Sequence, residues 1–169
     1  MVKNARTGDF SNPIKIRAHH LLCIQGFQGH GYNREFEENM WQIIDNLNAN
    51  YPTYLKLTSE CDDICLECPH NHNRSCNESS LSNSHVTKMD RVVLEKIGVD
   101  EGLIERSSVI FEKVNSIFNN LKNLQEVCSN CIWHSKCSYY QKIMNLNTSP
   151  IPKKKCKSYA HIIQKNCRK

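Results

Sequence analysis

The chain has 169 residues, 39 % hydrophobic and 8 % aromatic, which suits one domain with a core of limited size. No apolar run approaches the roughly 18 residues of a membrane span, so no membrane partner is expected. The formal charge of +5 counts all ten cysteines as neutral. It is a weak argument for nucleic acid, and no nucleic-acid partner is expected.

Residues 1–13 are polar, end in Ser-Asn-Pro and read as a flexible arm. Ile14 and Ile16 alternate with Lys15 and Arg17, which predicts a short strand. The following stretch carries Gly26, Gly29 and Gly31 and reads as a loop, or a turn of helix leading into one. Asn33 is placed to cap the next helix, with Glu35, Glu37 and Glu38 near its positive end. Phe36, Met40, Ile43, Ile44 and Leu47 recur at three- and four-residue steps and form its core face. Pro52 disfavours continuation beyond 48–51. Tyr54, Leu55 and Leu57 mark a second strand that runs straight into Cys61. If the two strands pair, Cys23 comes beside the Cys61–Cys76 loop.

Residues 69–85 are rich in Asn, Ser and His and read as loop. Val86 to Ile97 predicts a helix ended by Gly98. Residues 100–124 read as a longer helix with room for a break near Ser107–Ser108, its buried stripe being Ile110, Val114, Ile117, Phe118 and Leu121. Cys128 to Met144 combines a knuckle with a helix starting near Trp133. Residues 147–155 have linker composition, and a short helix is expected at Ser158–Lys165. The pattern predicts a mainly helical α+β fold with two short strands and two Cys-rich loops. Residues 14–145 form the domain, and 146–169 a basic C-terminal tail.

The cysteines carry the chemistry. Cys61, Cys65, Cys68 and Cys76 follow a C-x3-C-x2-C-x7-C spacing, and Cys128, Cys131 and Cys137 follow C-x2-C-x5-C. Cys23, Cys156 and Cys167 complete the ten. A disulfide framework needs an oxidising compartment. The N-terminus shows no apolar core of a signal peptide, so a cytoplasmic, metal-binding chain is expected. The opening C-x3-C-x2-C is also the radical-SAM spacing, but that fold needs a barrel of roughly two hundred residues with alternating strands and helices. Cys76 also offers a fourth thiol that would close the open iron.

Structural zinc takes four thiolates or three and an imidazole, and His70, His72 and His134 are at hand. Neither group shows two paired C-x2-C knuckles, however, and the wider steps suit the separated corners of an iron–sulfur cluster. Such clusters, held by thiolates, would also offset the positive formal charge. The second group lacks a fourth ligand, for which Cys156, Cys23 and His134 are candidates. His19 and His20 precede Cys23. They read as cofactor-binding residues that hydrogen-bond a cluster sulfur or pack beneath it, or as partners of a Cys23 nucleophile. Asp62 and Asp63 read as loop caps that draw backbone amides into place. Trp133, Tyr139 and Tyr140 read as water-excluding neighbours of the second group.

The blocks RAHHLLC (Arg17 to Cys23), GFQGHGY (Gly26 to Tyr32), EFEENM (Glu35 to Met40), DDICLECP (Asp62 to Pro69) and CSNCIWHSKC (Cys128 to Cys137) resemble domain-of-unknown-function family 1284. These are short bacterial and archaeal proteins thought to bind iron–sulfur, with no assigned reaction. The resemblance implies counterparts for Cys23, Cys65, Cys68, Cys76, Cys128, Cys131 and Cys137. It groups Cys23 with Cys65, Cys68 and Cys76, keeps Cys61 as a substitute, and leaves Cys156 beyond the shared region. The expected function is iron–sulfur binding, most simply [4Fe–4S], with one-electron transfer to a redox partner protein. Two alternatives stand beside it. One is an enzyme with a three-Cys open iron and a His proton carrier; the other is a zinc-stapled interaction module.

Overall fold

The computed structural model describes residues 8–49, 51–77 and 82–146. The expected tail helix, Cys156 and Cys167 lie outside them. The fold is α+β and mainly helical. Strand β1 (Ile14–Arg17) leads into helix α1 (His20–Gly26) and helix α2 (Arg34–Leu47), and the chain returns as strand β2 (Tyr54–Thr58). A 3-10 turn (Ile64–Glu67) and a small hairpin, β3 (Asn71–His72) with β4 (Ser75–Cys76), carry the first cysteine loop. Helix α3 (Asn83–Ile97), strand β5 (Ile104–Arg106), and helices α4 (Ser107–Ile117), α5 (Leu121–Cys128) and α6 (Ser138–Leu146) complete the described chain.

The sheet has the order β1-β2-β5, with β1 parallel and β5 antiparallel to β2. Its register sets Ile14 opposite Leu55 and Ile16 opposite Leu57, and all four are buried. The parallel pairing has a consequence for the site. Both strands end at the same edge, so α1 and the Cys61 loop start side by side. Asn33 accepts from the Phe36 amide at 2.9 Å and starts α2, whose predicted apolar stripe is buried throughout. Gly98 closes α3 in the left-handed region, at φ 66°. Tyr54 donates its amide to Gly8 at 2.6 Å, which seats the end of the N-terminal stretch on β2.

The structure selects one of two sequence expectations in one place and departs from them in three others. The stretch after β1 is helical from His20 to Gly26, so Cys23 lies within a helix. The predicted long helix over 100–124 is instead β5, α4 and α5. Gly98 and Gly102 both take positive φ, and the Leu57 amide donates to Leu103 O at 3.0 Å, so the turn feeds the free edge of β2. Ser107–Ser108 marks the start of α4, and the helical break falls at Asn119–Asn120, where Asn120 caps α5. The loop over 69–85 contains the β3–β4 hairpin, and the last described helix begins at Ser138, not near Trp133. No helix among the described residues is long and apolar enough to cross a membrane.

A buried ion pair joins β1 to α3. Arg17 ends β1 with 1 % exposure, and its guanidinium meets Asp90 of α3 at 2.7 and 2.8 Å and Ser59 O at 2.9 Å. Burial pushes the Asp90 carboxyl up, but His19 and Arg17 outweigh it and hold the group below the usual carboxylate range. Removing one member leaves a buried charge without a partner. Asp90→Ala is therefore expected to cost about 3–5 kcal/mol of folding stability, read from denaturant unfolding. A loss below about 1 kcal/mol would show that Arg17 finds another partner.

Candidate metal centre

Cys23 sits on α1, one turn before Gly26. Gly26 is a contact point: a Cβ there would collide with Cys137 Sγ and crowd the Tyr139 backbone. Only the bare glycine lets the second cysteine loop lie on α1. Burial pushes the Cys23 thiol well up, and the sulfurs of Cys131, Cys128 and Cys137 push it the same way. These are its principal charged neighbours. Cys23, which the family resemblance groups with Cys65, Cys68 and Cys76, lines one cavity with both sets, and Gly26 one turn on brings α1 against Cys137 of the second set. It keeps some accessible surface because it faces a cavity.

Backbone amides point at these sulfurs. Trp133 N donates to Cys131 Sγ and Tyr140 N to Cys137 Sγ, each at 3.4 Å. Both bonds favour the thiolate, against burial that pushes the two groups up. His134, a candidate ligand by sequence, turns Nε2 toward the Cys128 carbonyl and stacks on Tyr140 with centroids 4.3 Å apart.

The first set is organised by acidic caps. Asp62 Oδ1 accepts from Cys65 N at 2.9 Å and Oδ2 from Arg17 N at 2.6 Å, while Asp63 accepts from Lys15 N at 2.8 Å. Asn39 of α2 donates to the Asp63 and Ile64 carbonyls and ties the turn to the core. Cys61 and Cys65 share a hydrogen bond between their sulfurs. It lowers the Cys61 thiol and, with burial, raises Cys65. Burial also raises Cys68, with Cys76 and Cys61 as nearby like charges.

One cavity of about 160 Å³ brings Cys23, Cys65, Cys68, Cys76, Cys128, Cys131 and Cys137 together, with His19 and His20 in its wall. Cys61 is not part of that lining. The void is comparable to an engineered cavity of about 150 Å³ that holds benzene. Tyr32 spans the two loops, edge-on to His70 at 4.5 Å and to Trp133 at 5.5 Å. None of the eight described cysteines is in a disulfide.

The spacing of the donors bears on what fits. Tetrahedral zinc with bonds near 2.3 Å puts its sulfurs about 3.8 Å apart. Among the described residues, the one trio of potential ligand atoms mutually within 4.8 Å is His20, Asp62 and Cys65. Among the described residues no three thiols are that close. Splayed thiols around a void fit a polynuclear group whose ligands bind at separate corners.

The two histidines are each held by a buried carboxylate. His19 Nδ1 meets Asp90 at 2.7 Å, and His20 Nδ1 meets Asp62 at 2.8 Å. The rings lie 4.3 Å apart. Burial lowers the His19 pKa despite Asp90. Asp90 was not singled out from sequence, although a signal is present. It interrupts the core face of α3, between Val86 and Val93, where a charge needs a buried partner. Gly26 as a seat for Cys137 has no such signal, because nothing in a one-dimensional pattern marks which glycine meets a distant loop.

A family model described as "Protein of unknown function (DUF1284)" matches residues 31–137. The match covers both cysteine loops and starts after the Arg17–Cys23 block. No curated protein and no solved structure matches the chain.

The placement of the thiols has a chemical readout. Cys61 is absent from the cavity lining and its thiol pKa is lowered to about 6, whereas Cys23 faces the cavity and burial pushes its thiol well up. Iodoacetamide applied to native protein should alkylate Cys61 before Cys23, as read by peptide mass spectrometry. Equal rates would contradict the assignment of Cys23 to the interior.

Proposed function

The chain belongs to the DUF1284 family, and on that premise we propose that it is an iron–sulfur cluster-binding protein, most simply of the [4Fe–4S] type, that passes single electrons to a redox partner protein. The observation that carries this reading is the single cavity lined by seven thiols, no three of them close enough together for one tetrahedral ion. The donor set fits a thiolate-bound polynuclear group. Cys23, Cys128, Cys131 and Cys137 would hold one cluster, and Cys65, Cys68 and Cys76 would hold the other. A bound cluster supplies a one-electron couple, whose potential follows from burial and from hydrogen bonds to sulfur.

The residues of the chain perform the remaining tasks. The Trp133 and Tyr140 amides donate to Cys131 and Cys137 and stabilise their thiolates. Tyr32 and Trp133 line the cavity with their rings in edge contact. Several of the thiols stay half-exposed, Cys68, Cys76, Cys128, Cys131 and Cys137 among them. Leu66 and Ile132, at 62 % and 56 % exposure, stand beside the ligands on the two loops. That rim suits transient docking of a protein partner close to the metal. The enzyme reading draws its support from the first set, which turns three thiols to the cavity while Cys61 lies outside.

Serine substitutions test the assignment. Cys23→Ser and Cys68→Ser each remove a thiol from a different set, so each should lower the iron content and visible absorbance of anaerobically purified protein. Both should also lower stability, because metal binding contributes to folding. Gly26→Ala should reduce iron as Cys137→Ser does, although it removes no donor. Cys167→Ser should change neither iron nor stability. Unchanged iron in Cys23→Ser, or lost iron in Cys167→Ser, contradicts this ligand map.

A further inference from the structure

We propose that His20 is a metal ligand: its Nε2 completes the first set as Cys65, Cys68, Cys76 and His20, with Asp62 as the residue that positions it. This deepens the iron–sulfur reading and rests on it. Five observations converge. His20 lines the same cavity as the three thiols. One of its ring nitrogens lies within 4.8 Å of ligand atoms of Asp62 and Cys65, the one such trio among the described residues. Its Nδ1 is taken up by Asp62 Oδ2 at 2.8 Å, which fixes the tautomer and leaves the Nε2 lone pair for a metal. No hydrogen-bond partner is found for Nε2 among the described residues. Finally, Cys61 neighbours Cys65 but is absent from the cavity lining, so of the two candidates for a fourth donor it is His20 that faces the cavity.

Asp62 acts as an orienter. Its side chain is fully buried, and it accepts from the Arg17 and Cys65 amides as well as from His20. One carboxylate therefore fixes both the His20 ring and the Cys65 backbone. Carboxylate–histidine–metal arrangements use this geometry to orient the imidazole and raise its basicity. The His19–Asp90 pair beside it has a different setting. Asp90 is engaged with the Arg17 guanidinium, and His19 is outside the trio with Cys65. His19 is assigned to the buried ion-pair network.

The assignment has two consequences. The first cluster would be fully ligated, which removes the open iron required by the enzyme reading. Its potential would also exceed that of an all-thiolate centre, because a neutral imidazole replaces an anionic thiolate.

The test uses the full chain purified without oxygen, with ¹⁵N-histidine incorporated, and pulsed EPR of the reduced protein. The wild type should show a directly coordinated ¹⁵N coupling. His20→Cys should keep its iron, lose the coupling and shift the potential of that centre downward. His19→Gln should retain the coupling. A wild-type spectrum without ¹⁵N coupling in a preparation that contains iron and sulfide overturns the ligand assignment alone, as does coupling that persists in His20→Cys. A preparation with zinc in place of iron and sulfide overturns the cluster reading. X-ray absorption then decides His20. A nitrogen contribution at about 2.0–2.1 Å beside the sulfur shell, lost in His20→Cys, upholds it, and an all-sulfur shell sinks it. Protein that binds no metal overturns both.

Discussion

The Asp62 carboxylate is the constraint from which the rest of the site follows. It is fully buried, and burial alone would raise its pKa. His20 and the Arg17 and Cys65 amides outweigh burial and hold it far below the usual range. Through these bonds it joins the end of β1, the first turn of α1 and the turn that carries Cys65. The parallel pairing of β1 with β2 brings those segments to one edge of the sheet, and Asp62 fixes them there. Once α1 is fixed, Cys23 and Gly26 face the second loop, and Gly26 gives Cys137 the space to approach. Cavity, thiol sets and histidines are thus parts of one arrangement.

Without a metal, burial in this arrangement favours neutral thiols. Burial raises the pKa of Cys23, Cys65, Cys68, Cys128, Cys131 and Cys137, although for Cys65 the hydrogen bond from Cys61 is the larger cause. Thiol side chains of this size could have packed as small apolar groups, yet they surround a void. A cationic metal group reverses the balance, since coordination deprotonates a thiol outright. The amides aimed at Cys131 and Cys137 also favour the thiolate. The void and the two amides support the proposed cluster; burial of the thiols by itself does not.

Much of this was legible in the sequence, for identifiable reasons. The period of Phe36, Met40, Ile43, Ile44 and Leu47 is long and regular, and α2 follows it. Ile14, Ile16, Leu55 and Leu57 alternate as buried strand residues do. The cysteine spacings identified both loops, and Asp62 and Asp63 act as the loop caps their positions suggest. Long-range geometry was not legible. Cys23 precedes the Cys61 loop by 38 residues and the Cys128 loop by 105, from positions 61 − 23 and 128 − 23, and no spacing rule chooses between them. β5 is three residues long, too short to display alternation, and it exists because the β2 edge needs a partner. The hydrogen bonds of His19 and His20 to Asp90 and Asp62 cross 71 and 42 residues, so their carboxylates could not be assigned by proximity in the chain.

The central claim is that the thiol-lined cavity holds iron and inorganic sulfide. The most direct measurement is the amount of iron, acid-labile sulfide and zinc per chain in protein prepared without oxygen. Iron and sulfide in near-equal amounts, with little zinc and a brown colour lost on removing the metal, is the predicted result. A colourless preparation without sulfide that still unfolds cooperatively after chelation would contradict it.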